Sequence, residues 1–391
     1  MRLRSERIVT SSGTIAGELL LRDGVIWSIE PARPDGEGRE PIDVDAAWIV
    51  PGYIDTHVHG GGGAQCNTAD PDEIAAVASF HAAHGTTALL ATTVAAPVDE
   101  LVLALQAIAR AGEHDRPGEA AVLGAHLEGP FLSKLRPGAM DADAFIDPDA
   151  QIVERLLRAG AGAVQWMTVA PELTGGLDLV RTLATRGVVA SIGHTDATYD
   201  QTVEAVSAGV RAATHVFNAM PPLHHREPGA LGAVLDLPEI SAELICDGVH
   251  VSPAALRLVR RVKGDERVRL VTDAIQAAGM PDGDYRLGAA EVTVTDGRAT
   301  LREGGSIAGS TLTMQDAVRN AVHLLGAAVE EAIVLACTNP ARMLGLERRK
   351  GAIAVGLDAD LALLDEDLRV RGTLVGGRWV SRPPPPGRDA R

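Results

Sequence analysis

Eight short runs rich in apolar and β-branched residues recur between residues 47 and 274, most of them separated by alanine- and leucine-rich stretches with helical spacing. They are AWIVPGYIDTHVH (47–59), TTALLATT (86–93), AVLGAHLEG (121–129), VQWMTVAPE (164–172), VVASIGHTD (188–196), RAATHVF (211–217), AELICDGVH (242–250) and VRLVTDA (268–274). The segments between them carry helix punctuation. In PDEIAAVASFHAAHG, Pro71 falls in the first turn and Gly85 just past the end, and DAQIVERLLRAG closes on Gly160. Strands alternating with helices favour one parallel sheet, and eight of them predict a (β/α)8 barrel. An open doubly wound sheet is disfavoured, because no GxGxxG follows the first run.

The chain ends read differently. RIVTSSGTIAGELLLRDGVIWSIEP (7–31) alternates apolar residues with SSG and RDG turns, which predicts three short strands without helices. The same alternation returns in GAIAVGLDADLALLDEDLRVRGTLVGGRWV (351–380). Residues 1–48 and 350–381 are therefore expected to form one small β-sandwich domain beside a barrel spanning 49–349. The proline-rich residues 382–391 are expected to be a loosely attached tail.

With 36 Lys and Arg against 52 Asp and Glu, the formal charge of −16 argues against nucleic acid or an anionic membrane as a partner. An anionic substrate would have to meet a local cluster of cations. Three cysteines with no CxxC pair give no disulfide framework and no thiolate metal site, as expected of a cytoplasmic protein.

Active sites of such barrels form at the C-terminal ends of the strands. His57 and His59 end the first run, Glu128 the third, His194 the fifth, His215 the sixth and Asp273 the eighth. The i, i+2 spacing in THVH puts both imidazoles on one side of a strand, within reach of one ion. Singly, each residue has a structural reading: Glu128 could cap a turn, and the histidines could be hydrogen-bonded core residues. Jointly, six nitrogen and oxygen ligands at matching strand ends favour a divalent metal site. His126 could face inward by parity and is read as a supporting or core residue. Asp273, a carboxylate beside a metal, could take a proton from an attacking water and pass it to a leaving group.

These residues sit in longer motifs: VPGYIDTHVHG (50–60), HLEGPFLS (126–133), GHTDATYD (193–200), THVFNAMPPLHHREPG (214–229), DGVHV (247–251), VTDAIQAAGMPDG (271–283) and IAGSTLTM (307–314). In order and over nearly the whole chain, they resemble the amidohydrolase superfamily, and within it the N-acetylglucosamine-6-phosphate deacetylases. The resemblance implies that Glu128, His194 and His215 form the principal metal site. His57 and His59 match a pair that holds a second ion in some members, and Asp273 matches the catalytic acid/base. It implies substrate contacts at Ala139, Met140, Asn218, Ala219, Arg226, Asp247, His250, Ile307, Ala308 and Gly309. Arg226 is in some members contributed across a dimer interface, so a homodimer is expected. The implied cofactor is one or two divalent ions per chain, zinc first, with iron, manganese, cobalt or cadmium as alternatives. The implied substrate is an amino-sugar phosphate, whose phosphate Arg226 and His250 would meet.

One position departs from the family pattern. Where members typically carry GxH after the LEGP loop, this chain has RPGAMD, with Met140 in place of a histidine that polarises the acetamido carbonyl. A thioether donates no hydrogen bond, and losing one oxyanion donor costs on the order of 10²–10³ in turnover unless something replaces it. Either a second ion takes that role or the substrate differs. Hydrolysis of another N-acetylated amino sugar or N-acyl amide, or a non-catalytic barrel, are the alternative readings. Arg226 and His250 speak against an uncharged substrate, and Asp273 against a module with no chemistry.

Overall fold

The structure is a computed structural model that describes residues 1–31, 44–114 and 116–382. Most of the expected tail, residues 383–391, lies outside the described residues.

Eight parallel strands form the central sheet: Tyr53–Val58, Thr86–Thr93, Ala121–Glu128, Val164–Val169, Val189–Ile192, Ala212–Ala213, Ser241–Ile245 and Val268–Val271. Each pairs with its sequence neighbour, and the first and last meet across a seam. There Asp273 donates its N–H to His57 O at 2.9 Å, Thr272 Oγ1 donates to Asp55 Oδ2 at 2.6 Å, and Val58 bridges Ala274. The helices start where the punctuation places them. Asp70 caps Pro71–Ala83 by accepting from Asp72 N, and Asp149 caps Ala150–Ala159.

Most strands are shorter than their runs, and three of them stop just before a site residue. The sixth ends at Ala213, the fifth at Ile192 and the eighth at Val271, because the next residues leave extended geometry. His194, His215 and Asp273 have φ of 45°, 26° and 52°. The run over 47–59 is two strands. Trp48–Pro51 pairs with Leu361–Leu364, and only Tyr53–Val58 enters the barrel. Gly52 separates them, and a Cβ there would lie 2.1 Å from Thr87 Cγ2.

Both chain ends contribute to one further eight-stranded sheet. Arg2–Thr10, Gly13–Arg22 and Val25–Pro31 continue through Trp48–Pro51 to Leu361–Leu364, Val370–Val375 and Arg378–Ser381. Its core clusters Leu3, Ile8, Leu19, Ile26, Leu361 and Leu374. A three-stranded antiparallel sheet, Gly283–Leu287, Ala290–Thr295 and Arg298–Leu301, follows the eighth barrel strand. Its residues Leu287, Val292 and Ala299 share an apolar cluster with Val94, Ile275 and Met140, which sets this sheet beside the barrel mouth. No helix among the described residues is long and apolar enough to cross a membrane.

Candidate active site

Strand parity and the left-handed turns bring the six strand-end residues together. His57 and His59 alternate out of the first strand to the same side, and their Nε2 atoms lie 3.1 Å apart. Glu128 ends the third strand, and its two oxygens face different partners. Oε2 is 3.4 Å from His57 Nε2 and 3.2 Å from His59 Nε2. Oε1 is 3.0 Å from His215 Nε2 and 3.3 Å from His194 Nε2, with those two nitrogens 3.1 Å apart. Asp273 Oδ1 approaches His59 Nε2 at 3.0 Å and His57 Nε2 at 3.5 Å. The result is two half-sites, His57–His59–Glu128 and Glu128–His194–His215, each a buried triad of atoms with the spacing needed to hold a metal ion.

The outer hydrogen bonds say which way the lone pairs point. His59 Nδ1 faces Thr92 O at 3.1 Å, His194 Nδ1 faces Arg136 O at 2.9 Å, and His57 Nδ1 faces Glu243 Oε2 at 3.3 Å. Each of those partners only accepts, so each Nδ1 carries a proton and Nε2 is the ring nitrogen turned into the site. Nitrogens crowded against one another and against carboxylates need positive charge among them, supplied by protons on the rings or by a metal ion in their place. This donor set therefore fits divalent metal.

The same crowding polarises the acids. Burial pushes the Asp273 carboxyl up, but the charges of His57 and His59 outweigh it and hold it down at about 2. For Glu128, too, burial is overcome, and His57, His194 and His215 hold it well below the usual carboxylate range. Burial lowers His57, yet Glu128 and Asp273 hold it well above its ordinary value. His126 lies edge-on to His57, with ring centres 4.6 Å apart. Burial, then the charge of His57, drives it down to about 3, so it is a neutral supporting residue hydrogen-bonded to Thr168 Oγ1 at 2.7 Å.

A cavity of about 340 Å³ opens over this cluster. Ala139, Met140, Asn218, Ala219, His250, Ile307 and Gly309 all line it, as do His59, Glu128, His194, His215 and Asp273. His57 sits beneath them, fully buried. Met140 gives no donor, and its Sδ accepts from Ala95 N at 3.3 Å. His250 is braced by Asp247, whose Oδ2 takes the imidazole Nδ1 at 2.7 Å. Asp247 itself lines an adjoining cavity of about 240 Å³. Two further expected substrate contacts fall elsewhere. Ala308 turns its methyl into the apolar cluster with Val94 and Leu287, since the alternation that aims Ile307 and Gly309 at the cavity aims Ala308 away. Arg226 is exposed beside His225 and lines a different cavity of about 650 Å³ with Arg136, Asp196 and His224. That cavity is the larger, but the converging ligands lie in the smaller one.

Sequence reasoning missed Glu243, which touches His57 and the main chain of His215, and Arg269, which pairs with it at 3.4 Å. The signal was available: both are ionisable residues in the middle of otherwise apolar barrel strands, SAELI and VRLV.

The profile of the amidohydrolase family matches residues 48–380, and the chain belongs to that family. Among characterised relatives it is 37% identical to an N-acetylglucosamine-6-phosphate deacetylase of Lysinibacillus sphaericus, covering 96% of each chain. It is 39% identical to an N-acetylgalactosamine-6-phosphate deacetylase of Escherichia coli O157:H7, over 97% of this chain and 99% of that one. Among solved structures it superimposes with a TM-score of 0.92 on an aspartate-to-alanine variant of the Mycobacterium smegmatis N-acetyl-D-glucosamine-6-phosphate deacetylase, in complex with N-acetyl-D-glucosamine-6-phosphate. That match has 40% identity and covers 97% of this chain and 99% of the other.

Proposed function

We propose that this protein is a metal-dependent amide hydrolase that deacetylates N-acetyl-D-glucosamine 6-phosphate to D-glucosamine 6-phosphate and acetate. The observation that carries it is the shared carboxylate of Glu128 between two histidine pairs, with Asp273 at 3.0 Å from one of them. Zinc is the ion proposed first, at Glu128, His194 and His215, with a second on His57 and His59.

A divalent ion held by Glu128, His194 and His215, with His57 and His59 for a second, would supply Lewis acidity and make water acidic enough to lose a proton near neutral pH, with a pKa of roughly 7. Asp273, ionised at neutral pH, accepts a proton from the water whose oxygen attacks the acetamido carbonyl carbon. It then returns that proton to the sugar nitrogen as the C–N bond breaks, and the water's second proton passes from the new carboxyl group to the amine, so acetate and the ammonium form of the sugar account for both protons. Asn218 and His250 line the cavity as polar groups able to orient the sugar. Arg226 does not line this cavity, which supports a homodimer in which each chain's Arg226 reaches the neighbouring phosphate. Three free, buried cysteines support a cytoplasmic setting.

The test is acetate release from N-acetylglucosamine, its 6-phosphate, the galacto epimer's 6-phosphate and an N-acetyl amino acid. Turnover is expected on the gluco 6-phosphate and to be lost with chelator. No acetate from either sugar phosphate under metal-replete conditions rejects the proposal, and faster turnover of the galacto epimer reassigns the substrate. Sedimentation with the Arg226→Ala variant tests the dimer. A monomeric wild type, or an unchanged KM for the phosphorylated sugar in the variant, removes the cross-subunit role.

A further inference from the structure

Glu243 lies in the seventh barrel strand and is fully buried. Its Oε2 meets His57 Nδ1 at 3.3 Å and the backbone N–H of His215 at 3.3 Å. One oxygen thus touches one residue of each half-site, from the side of the rings opposite Glu128. The other oxygen faces Arg269, itself fully buried, stacked 4.3 Å over the Trp166 ring and donating from Nε to Ser241 Oγ at 3.1 Å. A carboxylate placed this deep needs such a counter-charge to remain ionised.

We propose that Glu243 is a positioning residue that sets both metal half-sites at once. Its oxygen fixes His57 as the Nδ1–H tautomer, which turns the Nε2 lone pair toward His59 and Glu128. The same oxygen anchors the His215 amide in the left-handed backbone conformation from which the ring reaches Glu128 at 3.0 Å. Glu128 links the half-sites through the ligating nitrogens, and Glu243 links them through the far side of His57 and the main chain of His215. Arg269 supplies the charge that lets Glu243 do this inside the barrel. The inference rests on the reading that both histidine pairs take divalent ions.

The competing view makes Glu243 only the buried partner of Arg269. Zinc titration against a chromophoric chelator, with elemental analysis, separates the two in Glu243→Gln and in the charge-balanced Glu243→Gln/Arg269→Met. Glu243→Gln is expected to weaken zinc binding at both half-sites by about 10–100-fold, the range for losing such a supporting carboxylate. The double variant removes the unpaired arginine and is expected to regain thermal stability without regaining zinc affinity. Wild-type affinity in the folded double variant, or weakening confined to one half-site, overturns the proposal. Glu243→Asp keeps the charge and withdraws the oxygens by one methylene; it is expected to stay folded and to bind zinc more weakly at both half-sites, and wild-type affinity there overturns the proposal as well. Wild-type protein that takes up no zinc at all rejects the metal reading instead, an outcome distinct from any of these.

Discussion

Gly138 sits on the loop that crosses the cavity mouth, and a single added methyl there is expected to reach the metal centre. An ideal Cβ at this position would lie 2.9 Å from His194 Cε1 and 3.5 Å from its Nδ1. Ordinary carbon contacts fall at about 3.5–4.0 Å, so the ring must retreat by roughly 0.6 Å or more. It is not free to do so alone. Arg136, two residues earlier on the same loop, holds His194 Nδ1 through its carbonyl at 2.9 Å, so loop and ring cannot separate without breaking that bond. The φ of +61° adds about 1–2 kcal/mol for an alanine in left-handed backbone, or a fall of about 2–8 °C in Tm at most. Moving a ligating imidazole acts on function directly, on the order of 10–100-fold in metal affinity and up to about 10²-fold in kcat, whereas the backbone cost is spread over the stability of the whole chain. Gly138→Ala should therefore remain folded, with its losses concentrated in zinc affinity by chelator competition and in the rate of acetate release. A variant with unchanged affinity and kcat would show that the loop yields freely and that His194 is not held as argued.

Asp273→Asn should retain metal while kcat falls by about 10²–10⁴, since the amide cannot accept and return a proton; near-normal turnover excludes Asp273 from the chemistry. Glu128→Ala should lose ions from both half-sites, whereas His57→Ala or His59→Ala should lower the content from up to two ions to about one, counted by elemental analysis, because Glu128 is the ligand the two clusters share. A wild type that never exceeds one ion contradicts this reading. Met140→His places a donor on the cavity wall and should raise kcat rather than lower KM; no change in kcat means that the carbonyl oxygen already has its stabilising partner.

The eight barrel strands were legible because the buried runs are bounded by turn residues and all but the last lead into a helical stretch, several of which open on a side-chain cap such as Asp70, Asp149 or Ser252. The strand-end ligands were legible because imidazoles and carboxylates have no other reason to recur at one end of a barrel. Their backbone was not. Periodicity extends a strand to the end of its apolar run, whereas His194, His215 and Asp273 lie beyond the regular strands in left-handed backbone, Asp273 while still bonded to His57 across the seam. The sheet over Gly283–Leu301 carries its own alternation in EVTVT and a DG turn, but it pairs with no barrel strand, so a count of βα units assigns it no place. Arg226 shows a different limit. It lies eight residues beyond Asn218 in the same motif, yet only tertiary structure reveals that the two line separate cavities.

The left-handed backbone at His194 and His215 sets the site against the thermal robustness of the chain. A residue with a branched or bulky side chain in that region loses about 1 kcal/mol or more relative to glycine, and asparagine tolerates it better than histidine. Against a net stability of about 5–15 kcal/mol, two such positions are a sizeable fraction. Heat-based selection applied to metal-free protein should therefore drift toward glycine or asparagine at these two positions and discard the ligands. Selection under saturating zinc should keep them, because bound ion adds to the folded state the stability that the turns withhold.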